Sequence, residues 1–145
     1  MKSLTEQALK AYVNHEKYFE RGRVYFRAGD VVLDEVTDQA IQARVVGTQV
    51  YRTTLSLDRH NKLSGQCTCP AFRDYGPCKH VVAVGLAALA SQKGGYYPSE
   101  DCLERMRQQD ALRKILSSMN KEELIALILQ RLGDDEEFYW EMSEE

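Results

Sequence analysis

Three of the four cysteines and one of the three histidines lie together in the stretch CTCPAFRDYGPCKH (67–80). Cys67 and Cys69 form one pair, eight residues follow, and Cys78 and His80 form a second pair with the same one-residue gap. Structural zinc binds cysteine thiolates and histidine nitrogens, four at a time and tetrahedrally. The residue types and their spacing therefore predict one structural zinc ion, to which each pair supplies two ligands.

Other chemistry for this cluster fits the residues less well. Iron–sulfur clusters usually take four thiolates, and a Cys-x-Cys redox pair would leave Cys78 and His80 without a role. A catalytic zinc keeps one position open for water, so Asp74 could act as a base only if one of the four ligands were released. His60 is an alternative to His80 as a ligand. Cys102, some twenty residues further on, is expected to be a buried structural thiol.

The chain before the cluster predicts one helix and a small sheet. Apolar residues recur at three- and four-residue spacing over 4–19, which predicts one amphipathic helix that ends near Gly22. Three runs rich in β-branched residues follow, each with alternating apolar and polar positions. They predict a three-stranded antiparallel meander with one buried face, formed by 31–36, 41–46 and 50–57.

The chain after the cluster predicts helices only. VVAVGLAALASQ is apolar nearly all round, as in a buried helix. KGGYYP (93–98) then breaks the pattern, and we place the domain boundary there, between a zinc finger domain over 1–95 and an acidic helical segment over 96–145. Capping residues predict that three helices follow, starting after Ser99, Asn120 and Asp134, with Gly133 ending the second. The predicted fold is α+β: an N-terminal helix, a three-stranded sheet, a zinc knuckle leading into a buried helix, and a C-terminal helical subdomain.

Charge and hydropathy narrow the class of protein. The net charge is −3, but residues 1–95 hold 13 Lys/Arg against 9 Asp/Glu, whereas 96–145 hold 6 against 13. A mildly basic first part gives only weak support for a nucleic-acid partner. No apolar run is long enough for a membrane span, and the polar N-terminus does not resemble a signal peptide. We therefore expect a cytoplasmic protein with reduced thiols and no membrane partner.

Basic residues near the cluster are candidates for partner binding. Arg44 and Arg52 are expected to project from the face of the sheet that points away from the core, and Arg73 and Lys79 belong to the loops around the metal. Basic side chains interleaved with aromatic ones can hold phosphates and stack on bases. An ordinary solvated surface has a similar composition, so DNA and protein remain alternative partners.

The pattern Cys-x-Cys, a loop, then Cys-x-His resembles the SWIM zinc finger. The resemblance extends over about residues 16–92, through FERGRVYFRAGDV, ARVVGTQVYRTTLSL and CKHVVAVGLAAL, with no departure at the ligand positions. More loosely, NKEELIALILQRLGDDEEF resembles the helical segment that follows the finger in bacterial proteins of this kind.

The resemblance implies a non-catalytic module that binds DNA or other proteins and that in bacteria accompanies helicase-type remodelling ATPases. This chain holds no G-x-x-x-x-G-K-[ST] phosphate loop of its own, and no nucleophile–base pair or small-molecule site is evident. We therefore expect a non-enzymatic zinc-binding module that binds DNA or a helicase-type ATPase. The alternative is a protein-interaction adaptor with no nucleic-acid contact.

Overall fold

The computed structural model describes residues 1–134 and has the mixed helix and sheet content that the sequence predicts. Along the described chain, helices precede and follow the four strands of one antiparallel sheet. The elements are α1 Glu6–Val13, α2 Glu16–Ala28, β1 Val31–Val36, β2 Ala40–Val46, β3 Val50–Leu57, β4 Leu63–Cys67, α3 Pro70–Tyr75, α4 Lys79–Gln92, α5 Glu100–Ser118 and α6 Lys121–Asp134.

The sheet has four strands in the order β1-β2-β3-β4, so the prediction of three strands is wrong by one. The added strand β4 pairs with β3, with Leu63 opposite Leu57 and Cys67 opposite Thr53. Its sequence, LSGQC, contains no β-branched residue, and of its five residues Leu63 alone is buried. The strand therefore forms because the turn after Asp58 returns the chain to a free edge of β3, a tertiary cause that local propensity does not reveal.

The predicted single N-terminal helix is two helices. Asn14 adopts a left-handed conformation (φ 48°) that ends α1, and α2 starts two residues later. Gly22, predicted to end a helix, lies instead in the middle of α2. A side chain at Gly22 would collide with Val82 of α4, so the glycine permits close approach of the two helices.

Helix α4 is the centre of the hydrophobic core. Its residues from His80 to Ala88 are all buried, as predicted for an apolar helix without a polar face. It packs between the inner face of the sheet on one side and α1 and α2 on the other. The core therefore fixes the start of α4, where Cys78 is the N-cap and His80 lies in the first turn.

The first turns of α5 cover one end of the outer face of the sheet. Cys102 and Met106 are buried there against Val46, with Val32 and Val50 packed around them. Cys102 is thus a buried structural thiol, as predicted, and burial raises its pKa to about 11. The segment from Tyr96 to Met106 belongs to the same packed unit as the sheet.

The chain divides into two compact units, Met1–Arg107 and one that starts at Gln108. The first unit extends beyond the predicted limit at residue 95, because the segment after the glycine break packs on the sheet. In addition, the Tyr96 hydroxyl accepts a hydrogen bond from the Val31 amide (3.0 Å) and donates one to the Val31 carbonyl (2.6 Å).

The second unit contains the end of α5 and α6. The predicted Asn120–Glu123 capping box is present, with reciprocal 2.8 Å hydrogen bonds between each side chain and the other residue's amide. No residue of α6 is buried. The last helix predicted from the sequence, which follows Asp134, lies outside the described residues. Within the described part of the chain, no helix is long and apolar enough to cross a membrane.

We predict that a chain truncated after Gly95 is less stable than one truncated after Arg107, by on the order of 3 kcal/mol. The shorter chain exposes Val46 and loses both Tyr96 hydrogen bonds. Urea unfolding of the two zinc-loaded chains, followed by circular dichroism, measures the difference. If the two chains have the same urea midpoint and the same dependence of unfolding free energy on urea, residues 1–95 fold independently.

Candidate metal centre

The four predicted ligand residues converge. The Sγ atoms of Cys67, Cys69 and Cys78 and a ring nitrogen of His80 all lie within 4.8 Å of one another. His80 Nδ1 is 3.6 Å from Cys67 Sγ and 3.7 Å from Cys78 Sγ. Tetrahedral zinc, with Zn–S bonds of about 2.3 Å and Zn–N bonds of about 2.0–2.1 Å, separates its ligand atoms by roughly 3.5–3.8 Å. The site therefore fits one structural zinc ion.

The first ligand pair is positioned by the end of the β3–β4 hairpin. Cys67 is the last residue of β4, and Thr68 extends the pairing through two further hydrogen bonds to the Arg52 backbone, at 3.0 and 3.1 Å. The chain then turns, and Cys69 becomes the N-cap of α3, where Pro70 occupies the first helical position. The strand end and the helix start thus present adjacent thiols to one point.

The second pair is positioned by the start of α4. Gly76 ends α3 with φ 86°, a conformation that favours glycine, and returns the chain toward the strand end. Cys78 is the N-cap of α4, and His80 lies in its first turn. Because α4 is held in the core, this pair is fixed by packing and does not depend on the loop alone.

Hydrogen bonds already stabilise negative charge on the thiols. Cys67 Sγ accepts a 3.3 Å bond from the Thr53 hydroxyl, and Cys69 Sγ accepts a 3.3 Å bond from the Phe72 amide. The hydrogen bond with Cys78, followed by those with His80 and Thr53, lowers the pKa of Cys67 to about 4. The same bond with Cys67, together with burial, raises the pKa of Cys78, and burial raises that of Cys69. Zinc binding would require loss of the remaining thiol protons, because the thiolate is the ligand.

The alternative ligands and bases weighed from the sequence lie outside the cluster. His60 is in the exposed β3–β4 turn, where its ring accepts a hydrogen bond from Arg59. Asp74 is exposed and forms a 2.9 Å ion pair with Arg73. Neither belongs to the set of converging ligand atoms.

The candidate partner-binding residues fall into separate places. Arg44 and Arg52 lie directly opposite each other on β2 and β3 and line one groove on the outer face of the sheet. Arg73 lies on α3, paired with Asp74, whereas the Lys79 ammonium lies 5.1 Å from the centre of the Tyr25 ring.

Sequence reasoning missed the carboxylate that neutralises part of this surface. Asp34 accepts hydrogen bonds from two guanidinium nitrogens of Arg44, at 2.7 and 3.0 Å. The contact occurs where the register of β1 against β2 shifts between Leu33 and Glu35. An irregularity of this kind leaves no signal in the alternation of residue types, so no pattern pointed to Asp34.

Comparison with known families agrees with this geometry. Residues 51–89 match the family model described as SWIM zinc finger. The chain therefore contains a SWIM zinc finger. All four ligands lie inside the matched segment, which is shorter than the resemblance seen over residues 16–92. Searches of curated proteins and of solved structures find no match to the chain.

We predict that Thr53→Val weakens zinc binding by the SWIM finger about tenfold, because Cys67 loses a hydrogen-bond donor next to the metal. Valine has nearly the shape of threonine, so the buried packing at this position is retained. Competition with a chromophoric zinc chelator measures the affinity.

The matched control is Thr54→Val, which changes the adjacent residue on the same strand and removes no hydrogen bond to a ligand. Equal affinities of the two variants would show that the Thr53–Cys67 contact does not support the metal.

Proposed function

We propose that this protein is a non-enzymatic SWIM-type module whose single structural zinc holds together a surface that binds DNA. The observation that carries the proposal is the convergence of four ligand atoms, three sulfur and one nitrogen. A complete set of four leaves no open position for water or substrate, which is typical of structural and not of catalytic zinc. All four cysteines are free thiols, which fits a reducing compartment such as the cytoplasm.

The outer face of the sheet is the proposed DNA contact. Like charges directly opposite each other on neighbouring strands destabilise a sheet, yet Arg44 and Arg52 occupy such positions. Asp34 compensates the charge of Arg44 in part. A phosphate between the two guanidinium groups would compensate the rest, since arginine binds phosphate oxygens in a bidentate manner. Arg73 and Lys79, on the finger itself, are proposed to add weaker contacts.

A specific observation favours protein binding as the second candidate function. In the unit that starts at Gln108, large aliphatic side chains are solvent-exposed, Ile115 by 60% and Leu129 by 61%. Exposed apolar side chains on one helical unit are a common feature of protein interfaces. We propose a protein partner for this unit, and a helicase-type ATPase is the candidate that the family resemblance suggests.

We predict one tightly bound zinc per chain, whose removal unfolds the finger. Binding energy at a structural zinc site is also folding energy, so a strong chelator should lower the thermal midpoint and loosen residues 63–92. Elemental analysis gives the stoichiometry, and amide hydrogen exchange with and without EDTA shows which residues lose protection. Cys69→Ser should behave like the chelated wild type, and Cys102→Ser should retain its zinc. Zinc well below one equivalent, with no other metal present, would contradict the assignment.

We predict that DNA binding is weak and electrostatic, with a Kd in the non-specific range of ~10⁻⁴–10⁻⁶ M at physiological salt. Arg44→Gln/Arg52→Gln should reduce the affinity and lower the slope of log K against log salt by about one unit per lost phosphate contact. Fluorescence anisotropy with labelled single- and double-stranded DNA at several salt concentrations measures both quantities.

The control for DNA binding is Arg113→Gln/Lys114→Gln, which removes the same charge from the second unit. Equal loss in both double variants would mean that net charge, and not the sheet groove, governs binding. Absence of binding at low salt would favour the protein-adaptor function.

A further inference from the structure

Among residues 1–134, no protein group forms a hydrogen bond with the second ring nitrogen of His80, Nε2. A zinc-bound histidine almost always donates its other N–H to a carboxylate, a backbone carbonyl or water, which fixes the tautomer and the ring orientation. His80 is 2% exposed, and its Nε2 atom has no hydrogen-bond partner among residues 1–134. Its Nδ1 atom, in contrast, lies at 3.6–3.7 Å from two of the ligand thiols. Within residues 1–134, the contacts that surround this ring are therefore aromatic.

Two tyrosine rings enclose the imidazole. The Tyr51 ring is stacked on it, with centroids 4.6 Å apart and an interplanar angle of 26°. The Tyr25 ring meets it nearly at right angles, with centroids 5.2 Å apart and an angle of 79°. Stacked and perpendicular arrangements are the two favourable geometries of aromatic pairs. Together they restrict rotation of the His80 ring about two different directions.

The two tyrosines are themselves held in place. The Tyr51 hydroxyl forms a 2.9 Å hydrogen bond with the Thr48 hydroxyl, and the Lys79 ammonium lies over the Tyr25 ring. Gly47 leaves room for both, because a Cβ atom at this position would lie 3.1 Å from the Tyr51 ring and 3.2 Å from the Tyr25 hydroxyl.

We propose that Tyr25 and Tyr51 are positioning residues for the metal site, which hold the His80 ring so that Nδ1 faces the three thiolates. This inference rests on the proposed structural zinc. The aromatic enclosure takes the place of the usual hydrogen bond to Nε2 in fixing the orientation of the ring.

The proposal extends the functional unit beyond the segment that matches the SWIM family. Tyr25 lies on α2, outside residues 51–89. Helix α2 packs closely against α4 because Gly22 has no side chain to collide with Val82, and this contact brings Tyr25 to His80. We therefore expect α2 to be required for full zinc affinity, although it supplies no ligand.

The test compares leucine and phenylalanine variants of the two tyrosines. Tyr25→Leu and Tyr51→Leu should each weaken zinc binding on the order of tenfold, whereas Tyr25→Phe and Tyr51→Phe keep the rings and should remain within about twofold of wild type. The matched control is Tyr18→Leu, which removes a half-buried tyrosine of the same helix that stacks on His15 and not on His80. Chelator competition measures affinity, and ¹H–¹⁵N spectra of the histidine side chains report which ring nitrogen binds the metal.

A His80→Cys chain distinguishes a role in orienting the His80 ring from a general effect on protein stability. In His80→Cys the site retains four ligands but has no ring to orient, so the leucine substitutions should change zinc affinity by less than about twofold. The positioning role is refuted if the leucine substitutions weaken zinc binding as much in the His80→Cys chain as in wild type. It is also refuted if Tyr18→Leu weakens zinc binding equally. A wild-type chain that binds no zinc would overturn the zinc assignment and this inference together. Zinc binding with normal affinity in both leucine variants would overturn only the inference.

Discussion

The convergence of four ligand atoms from two short chain segments is the constraint on which the rest of the structure depends. Cys67 and Cys69 sit where a strand becomes a helix, and Cys78 and His80 sit where the next helix begins. Neither pair can hold a tetrahedral ion alone. The β3–β4 pairing fixes the first pair and the burial of α4 fixes the second, so the sheet and the core helix must form for the site to exist. The metal in turn would join a hairpin to a helix across a segment whose short helix α3 has no buried residue.

The sequence predicted those parts of the fold whose signal is local. The ligand spacing, the strand runs up to Leu57, the apolar helix α4 and the Asn120 cap each lie within a few neighbouring residues. Strand β4 was missed because its residues have low strand propensity and pair only through tertiary context. The role of Gly22 was missed because it depends on the close approach of α2 and α4, which no single-segment pattern contains. The break at Asn14, where the backbone becomes left-handed, was also missed.

The ligands could be predicted, but the groups around them could not. Cysteine and histidine residues spaced like zinc ligands are rare in sequences, so they indicate a metal site directly. Thr53, the Phe72 amide and the two tyrosines around His80 are common groups with no periodic signal. Each acts through its position in a neighbouring element, and Tyr25 reaches the site from a helix far away in sequence. Tyr51 packs against the core, and its ring also stacks on His80.

The two faces of the sheet differ in how far they are covered. Its inner face is covered by α4, and one end of its outer face is covered by Cys102 and Met106. The remaining outer surface carries Arg44 and Arg52, two like charges directly opposite each other, an arrangement that lowers the stability of a sheet. The aliphatic side chains of the second unit, such as Leu129, likewise contribute exposed area without internal packing. Both features reduce stability within the chain, but they differ in chemistry. The arginine pair suits a polyanion, and the exposed aliphatic side chains suit an apolar protein surface. The two proposed modes of binding therefore do not compete for the same residues.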